Sequence, residues 1–195
     1  MTNIGIILGS TRPGRVGHQV AEWVAEQGGQ HDGIDVELVD IEDYGLPIFD
    51  EPQSPLLGSY SHAHTRKWSN KIAEFDGYVF VTPEYNRSIP AALKNAIDYL
   101  YGEWNNKAVG FVSYGSNVGG ARAAEHLRLI TAGLQLAGVR TQVSLSLATD
   151  FAGFTTFTPD GRHNTTLHQL FTEVTAWADA LAPLRRPPDH SDRSR

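Results

Sequence analysis

Short apolar runs and stretches of helical spacing alternate along the whole chain. Five runs have the length and apolar character of strands that are buried on both faces. They cover residues 4–8, 36–39, 77–82, 108–113 and 139–147. Between and after these runs, apolar residues recur every three to four positions, as in amphipathic helices. The predicted helices cover residues 16–25, 62–75, 89–100, 120–137 and 165–181.

This alternation predicts an α/β fold with a doubly wound, five-stranded parallel sheet. Parallel strands need a crossover connection, and crossover helices cover both faces of the sheet. In sheets of this kind the ligand lies beyond the carboxyl ends of the strands. The loops that follow the first, third and fourth strands are therefore the candidate binding loops, at residues 9–15, 83–88 and 113–120.

Composition narrows the class of protein. The formal net charge of −6 argues against nucleic-acid and anionic-membrane partners, because both require basic patches. The absence of cysteine excludes disulfide scaffolds and cysteine nucleophiles. No apolar run approaches the ~20 residues of a spanning helix, and the first ten residues lack the basic start of a signal peptide. We therefore expect a cytoplasmic protein without a membrane segment.

The last eleven residues differ from the rest of the chain. Segment 185–195 contains four arginines and two adjacent prolines, and it has no aliphatic or aromatic side chain. Such a segment buries too little apolar surface to offset the entropy of ordering it. We expect one folded domain over residues 1–184, followed by a disordered tail over residues 185–195.

The loop after the first strand has the chemistry of a phosphate site. Its glycines let the backbone approach an anion, and the helix that follows adds aligned N–H groups and a partial positive charge. The candidate ligands are Ser10, Thr11, Arg12, Arg15, Val16 and Gly17. The loop is neither a Walker A loop nor a G-x-G-x-x-G fingerprint, which favours a mononucleotide phosphate. The alternative is an ordinary polar turn.

The other two loops suit a flat polar ring. Tyr85 offers an aromatic face, and Asn86 offers both a donor and an acceptor to an imide edge. The loop after the fourth strand is small and rich in amide N–H groups, and Ser88 is interpreted as the N-cap of the next helix. The candidate ligands in these loops are Pro83, Glu84, Tyr85, Asn86, Ser113, Tyr114, Gly115, Ser116 and Gly119.

Three segments resemble the NADPH-dependent FMN reductase family. They read GSTRPGR at 9–15, PEYNRSIPAALKNAIDYL at 83–100 and SYGSNVGGARAAEHLR at 113–128. The resemblance implies a flavodoxin-like sheet of order 2-1-3-4-5 and non-covalently bound FMN. It also implies that Ser10 and Arg12 bind the phosphate, that residues 83–86 line the isoalloxazine, and that residues 113–116 border its pyrimidine side. Many members carry Ser and Asn where this chain has Arg15 and Gly17.

The resemblance implies an oxidoreductase that passes electrons from NADPH or NADH through FMN to a small-molecule acceptor. Flavins, quinones, azo compounds and metal oxyanions are the candidate acceptors. If both substrates use one open face of the flavin, the kinetics are expected to be ping-pong. No side chain needs to act as an acid or base, so no catalytic residue is predicted. The alternative is a non-enzymatic flavodoxin-like electron carrier, although such carriers are usually more acidic.

Two further patterns bear on metals and assembly. His62 and His64 fall on different faces of a predicted helix and lack a third ligand, so we expect no metal site. We expect Trp104 to pack in the core or at an interface; the alternative is that its turn at 101–106 approaches the mouth of the ligand site. The helix at 89–100 has more apolar positions than one sheet face can use, which predicts an isologous homodimer with this helix and the 120–136 helix as the candidate interface. Family resemblance implies that the partner closes the flavin pocket, and that some members form homotetramers.

Overall fold

The computed structural model describes residues 1–185. The strands are β1 Thr2–Leu8, β2 Ile34–Asp40, β3 Gly77–Pro83, β4 Lys107–Gly115, β5 Leu136–Ser146, β6 Phe151–Ala152 and β7 Thr156–Phe157. The α-helices are α1 Gly17–Gly28, α2 Ala63–Ala73, α3 Ala91–Asp98, α4 Ala121–Gly133 and α5 Arg162–Arg185. Three short 3₁₀ turns lie at residues 41–44, 55–57 and 102–104.

The five long strands form one parallel sheet of order β2-β1-β3-β4-β5. This confirms the predicted fold class and strand order. The central strands β3 and β4 are buried at every position, whereas the edge strands β2 and β5 contain exposed residues. A parallel strand covered on both faces requires such a continuous apolar run.

Helices cover the sheet on both faces. On one face, α1 and α5 pack against it through residues such as Val20 and Leu170. On the other face, α2, α3 and α4 pack through residues such as Trp68, Ile97 and Leu127. All five carboxyl ends of the strands consequently meet at one edge, and the loops that leave them are close in space. No helix within residues 1–185 is long and apolar enough to cross a bilayer.

The junction between α4 and β5 corrects a predicted boundary. The sequence pattern extends the helix to Ala137, but α4 ends at Gly133 and β5 begins at Leu136. Gln135 has a φ of 53°, in the left-handed region that breaks a helix. Apolar residues end the helix on one side of this turn and begin the strand on the other. Their spacing is continuous across the turn, so the hydrophobic pattern does not show where the helix ends.

Ser88 is not the N-cap of α3, which begins after Pro90. The Ser88 backbone exchanges two hydrogen bonds with Tyr85, and its hydroxyl lies 2.7 Å from Nδ1 of His126. The fixed φ of Pro90 suits entry into a helix, so the helix starts one step after the proline.

Trp104 does not approach the ligand site, because it lies at the other edge of the sheet. It precedes β4, whereas the candidate loops follow their strands. The indole is fully buried against Trp68, Tyr78 and Phe80, and its Nε1 donates to the carbonyl of Ile97 at 3.2 Å. The tryptophan belongs to the core.

The apolar residues of α3 are used within a single chain. Leu93, Ala96 and Ile97 are buried, as are Ile89 and Leu100 on either side of the helix. The sequence argument for a dimer through this helix therefore does not hold, because the 3₁₀ turns and α2 cover the face that the sheet leaves open.

Arg185, the first residue of the expected tail, lies instead in the last helix. Arg185 is the last residue of α5, and its guanidinium donates to Asp76 at 2.8 Å and to the carbonyl of Asn106 at 3.0 Å. Residues 186–195, the rest of the expected tail, lie outside the described residues.

Gly110 in the centre of β4 tests the packing between the sheet and α5. A Cβ at this position would lie 2.5 Å from Cδ2 and 2.9 Å from Cγ of Leu170, which is fully buried. Gly110→Ala is expected to lower the free energy of unfolding by about 1–3 kcal/mol through overpacking. Urea denaturation measures the change.

Gly133→Ala is the matched control, because a Cβ there meets nothing within 4 Å. It should leave the stability unchanged or raise it slightly, since alanine favours the helix. Equal losses in both variants would contradict the packing argument.

Candidate functional site

A cavity of about 220 Å³ opens at the carboxyl edge of the sheet. The loops after β1, β3 and β4 contribute most of its wall, as the sequence predicts. The lining residues are Arg12, Arg15, Val16, Pro83, Glu84, Tyr85, Tyr114, Gly115, Ser116, Leu147 and Phe154. All but the last two are among the predicted site residues.

The loop after β1 is tied to the loop after β3. Ser10 is fully buried, and its hydroxyl shares a hydrogen bond of 3.0 Å with the Tyr85 hydroxyl. The Gly9 N–H donates to the carbonyl of Val81 at 2.9 Å, and the Arg15 N–H donates to the carbonyl of Arg12 at 3.0 Å. These bonds hold the turn directly before α1. Thr11 is half-buried in the same turn but does not line the cavity.

The two arginines of this loop have different surroundings. Arg15 forms ion pairs with Asp40 and Glu42 at the end of β2, which neutralise its guanidinium. Burial raises the pKa of Asp40, while its contacts with the Glu42 N–H and Arg15 oppose the shift. Arg12 is exposed and has no ion pair within residues 1–185. Of the two, Arg12 is the cation available to an anionic ligand.

The loop after β3 is a tight turn with an unusual backbone. Asn86 and Arg87 both have positive φ, at 50° and 71°. The reciprocal backbone bonds between Tyr85 and Ser88, at 2.8 and 3.0 Å, hold this strained geometry. Residues kept in such conformations concentrate at ligand-binding sites. Asn86 itself does not line the cavity, and its role in the structure is to complete the turn that presents Tyr85.

Glu84 carries a buried acceptor at the cavity wall. Its Oε1 accepts from Arg122 at 2.6 Å, and its backbone N–H donates to the carbonyl of Tyr114 at 2.9 Å. Its Oε2 is buried and has no hydrogen-bond partner within residues 1–185. An unsatisfied buried carboxylate oxygen is costly, which makes it a candidate for a ligand N–H donor.

The loop after β4 is shaped by small residues. The Ser113 hydroxyl is fully buried and donates to the carbonyl of Gly119 at 2.8 Å, so it closes the loop and does not reach the cavity. Gly119 has a φ of 59°, and a Cβ there would lie 2.9 Å from the backbone of Ser144. Gly119 therefore supports the loop through close packing, while Gly115 and Ser116 line the cavity.

The remaining predicted residues, Val16 and Gly17, lie at the start of α1. Val16 lines the cavity. Gly17 is buried in the first turn of the helix, where an added Cβ would lie 2.3 Å from the Tyr114 hydroxyl. The N-terminal N–H groups of α1 are consequently close to the side chain of Tyr114.

Leu147 and Phe154 complete the wall, and sequence reasoning missed both. Phe154 lies at the tip of the β6–β7 hairpin, with a φ of 62° and 65% of its surface exposed. The hairpin is held by the side-chain amide of Gln19, which donates to the Thr155 carbonyl and accepts from the Phe157 N–H, both at 2.9 Å. Two-residue strands leave no detectable periodicity, and only the cluster of aromatic residues at 151–157 signals this segment.

A buried hydrogen bond between Asp150 and His163 fixes the base of the same hairpin. Asp150 is 1% exposed, and its Oδ1 lies 3.0 Å from Nε2 of His163 in α5. Its Oδ2 accepts from the Ser146 N–H at 2.8 Å. Burial alone would raise the pKa of Asp150, but these contacts outweigh it and lower the pKa. The hairpin is thus a fixed wall of the cavity.

The sequence predicts that His62 and His64 lie on different faces of one helix. In the structure their rings are side by side. His62 precedes α2 as its N-cap, and the two rings stack with centroids 5.2 Å apart. Nε2 of His64 lies 3.0 Å from Oδ1 of Asp50. Among residues 1–185 no group of three or more side chains forms a candidate metal site.

Comparisons with known proteins agree with this architecture. The sequence matches the NADPH-dependent FMN reductase family over residues 2–150. It is 43% identical over 147 residues to an NAD(P)H-dependent FMN reductase of Schizosaccharomyces pombe, covering 74% of this chain and 73% of that protein.

Solved structures share the fold. A flavoenzyme NAD(P)H:(acceptor) oxidoreductase from Paracoccus denitrificans superposes with a TM-score of 0.67 at 22% identity, over 94% of this chain and 98% of that one. A flavodoxin of Streptococcus pneumonia superposes with a TM-score of 0.57 at 14% identity, over 90% and 99% of the two chains. The fold is therefore flavodoxin-like, as predicted. Because the sequence match spans all three loops after β1, β3 and β4, the chain belongs to the NADPH-dependent FMN reductase family.

Proposed function

We propose that the protein is an FMN-dependent oxidoreductase that passes electrons from NADPH or NADH to a small-molecule acceptor. The observation that carries the proposal is the cavity at the carboxyl edge, in a chain of this family. A cation and a helix N-terminus lie at one end of the cavity, and aromatic and apolar side chains form its walls. The candidate acceptors are flavins, quinones, azo compounds and metal oxyanions.

The residues at the α1 end of the cavity fit a phosphate. Arg12 contributes a guanidinium without an ion-pair partner in the described chain, and the first turn of α1 contributes backbone N–H groups. Both are stabilising near a dianion. Ser10 contributes a buried hydroxyl, which is shared with Tyr85. In this proposal these groups hold the phosphate of FMN.

The residues at the other end fit a flat heteroaromatic ring. Pro83 and Tyr85 offer a rigid, apolar surface from the loop after β3, and Gly115 and Ser116 bring backbone amides from the loop after β4. The unpaired Oε2 of Glu84 matches a ring N–H, because a buried acceptor gains most from a new donor. When bound, FMN would supply the hydride and electron chemistry, which none of these side chains can perform.

The protein's own contribution is therefore to bind, orient and enclose. Amide donors of the 115–116 segment would stabilise negative charge on the pyrimidine side of the ring. We assign no acid or base, and we propose no catalytic side chain. A cytoplasmic location belongs to the same proposal, because the reaction depends on the NADPH or NADH pool of that compartment.

We also propose that the chain forms a homodimer. Two such dimers would make the homotetramer that the family resemblance implies for some members. Of the two helices predicted for the interface, the support comes from the outer face of α4 and not from α3. Leu129 is 74% exposed and Val118 is 42% exposed, and both line an open apolar groove with Ala121 and His126. A second copy of the same face would cover these side chains in an isologous contact.

Arg12→Ala is expected to weaken FMN binding by about 1.5–3 kcal/mol, the range of a hydrogen bond to a charged group. Riboflavin, which lacks the phosphate, should lose little affinity. Arg15→Ala should leave the ratio of the two affinities nearly unchanged, because Asp40 and Glu42 already neutralise Arg15. Quenching of flavin fluorescence gives both dissociation constants. Equal losses of FMN and riboflavin in Arg12→Ala would refute the phosphate assignment.

The donor and the acceptor are expected to react in turn at one shared face of the flavin. Hydride transfer needs contact at about 3–3.5 Å, so two flat substrates cannot occupy the same face together. Steady-state kinetics with NADPH and a quinone should give parallel double-reciprocal lines. Phe154→Ala, which widens the rim, should change the KM for the acceptor more than it changes FMN retention, with the lines still parallel.

Lines that intersect, with isotope exchange that requires both substrates, would show a ternary complex and contradict the shared face. Anaerobic bleaching of the flavin by NADPH or NADH separates the enzyme from a passive electron carrier. A carrier would keep its yellow colour.

The assembly is checked by light scattering at micromolar protein. The wild type is expected at twice the mass of the chain or a multiple of it, and Leu129→Glu should shift it towards the monomer by placing a charge in the apolar contact. Trp177→Glu is the control, because Trp177 is 48% exposed on α5, on the opposite face of the sheet. A wild-type monomer, or equal dissociation of both variants, would refute this interface.

A further inference from the structure

Tyr114 is a buried residue whose hydroxyl has no hydrogen-bond partner within residues 1–185. The residue is 4% exposed, and its ring packs into the core beside Phe151 with centroids 6.1 Å apart. Tyr114 lines the cavity, so its hydroxyl is within reach of a bound ligand. A buried hydroxyl that lacks a partner costs free energy unless a ligand or solvent satisfies it. Its position therefore indicates a polar ligand atom in the cavity.

Gly17 locates this hydroxyl at the start of α1. A Cβ on Gly17 would lie 2.3 Å from the Tyr114 oxygen, closer than any real contact allows. The hydroxyl thus occupies the space that a side chain at residue 17 would take, beside the first helical turn. Backbone N–H groups and a partial positive charge gather there. The ligand atom that this corner favours is anionic.

The electrostatic surroundings favour a neutral donor. Burial raises the pKa of Tyr114, the nearby Tyr85 adds to the increase, and Arg12 and Arg15 oppose it. The hydroxyl therefore keeps its proton at physiological pH and can donate to an anion. Arg15 supplies little charge to this corner, because Asp40 and Glu42 pair with it. A neutral donor from outside the loop would add a hydrogen bond to the anion that Arg15 does not provide.

We propose that the Tyr114 hydroxyl donates a hydrogen bond to the phosphate of bound FMN, which makes β4 part of the phosphate site. This inference rests on the proposed function. It goes further, because it adds one hydroxyl of β4 to a phosphate site that the loop after β1 would otherwise form alone. Gly17 is required for this contact, because any larger residue would displace the hydroxyl.

The decisive variant is Tyr114→Phe, which removes one oxygen and keeps the ring packed in the core. Dissociation constants for FMN and for riboflavin are measured on the apoprotein by quenching of flavin fluorescence. The FMN constant is expected to rise about 10- to 100-fold, as for a lost hydrogen bond to a charged group, and the riboflavin constant to stay within about twofold.

Tyr99→Phe is the matched control. Tyr99 is also fully buried, but its hydroxyl is satisfied by the carbonyl of Pro47 and by Asp50, away from the cavity. This variant should leave the ratio of the FMN and riboflavin constants at the wild-type value. Thermal unfolding of both variants separates lost stability from lost binding.

Unchanged FMN affinity in Tyr114→Phe would overturn the inference, as would equal losses of FMN and riboflavin, which would place the hydroxyl against the ring or the ribityl chain. Either result leaves the proposed function intact if the wild type still prefers FMN. A wild type that binds riboflavin as tightly as FMN would instead remove the phosphate site, and the role of Tyr114 with it.

Discussion

Burial of the central strands on both faces is the constraint on which the rest of the structure depends. Strands β3 and β4 have no exposed residue, so helices must cover both sides of the sheet. Parallel pairing then directs every carboxyl end to one edge. The loops that leave β1, β3 and β4 therefore start at the same edge of the sheet, and they surround a cavity. The position of the site is therefore a consequence of how the core is buried.

Within this frame, hydrogen bonds between loops convert closeness into a defined site. The Ser10–Tyr85 pair joins the first loop to the second, and the Glu84 N–H donates to the Tyr114 carbonyl and joins the second to the third. The Leu147 N–H donates to the Gly115 carbonyl at 2.9 Å and attaches the end of β5. Each loop is thus fixed by its neighbour, which preserves the alignment of groups that a preorganised site requires.

Charge is distributed unevenly around the cavity, and the distribution separates residues that look alike. Arg12 and Arg15 are three positions apart in one loop, yet Asp40 and Glu42 neutralise only the second. The two carboxylate oxygens of Glu84 also differ in their surroundings. One accepts from Arg122, and the other has no partner in the described chain. Groups left without a partner around a cavity are the ones that a ligand can satisfy, and they guide the assignment of roles here.

The sequence by itself determined the fold class, the strand order through family resemblance, and most of the cavity wall. Apolar runs and helical spacing report burial directly, and glycine-rich loops after buried strands mark one edge of the sheet. Only the tertiary structure decided which residues of those loops face the cavity. In the structure Ser113 and Gly119 support the loop after β4. Trp104 lies in the core at the opposite edge of the sheet, and Phe154 lies at the rim of the cavity. The physical reason is that these outcomes depend on contacts between residues far apart in the chain, such as Arg15 with Asp40 or Gly17 with Tyr114, which local periodicity does not encode.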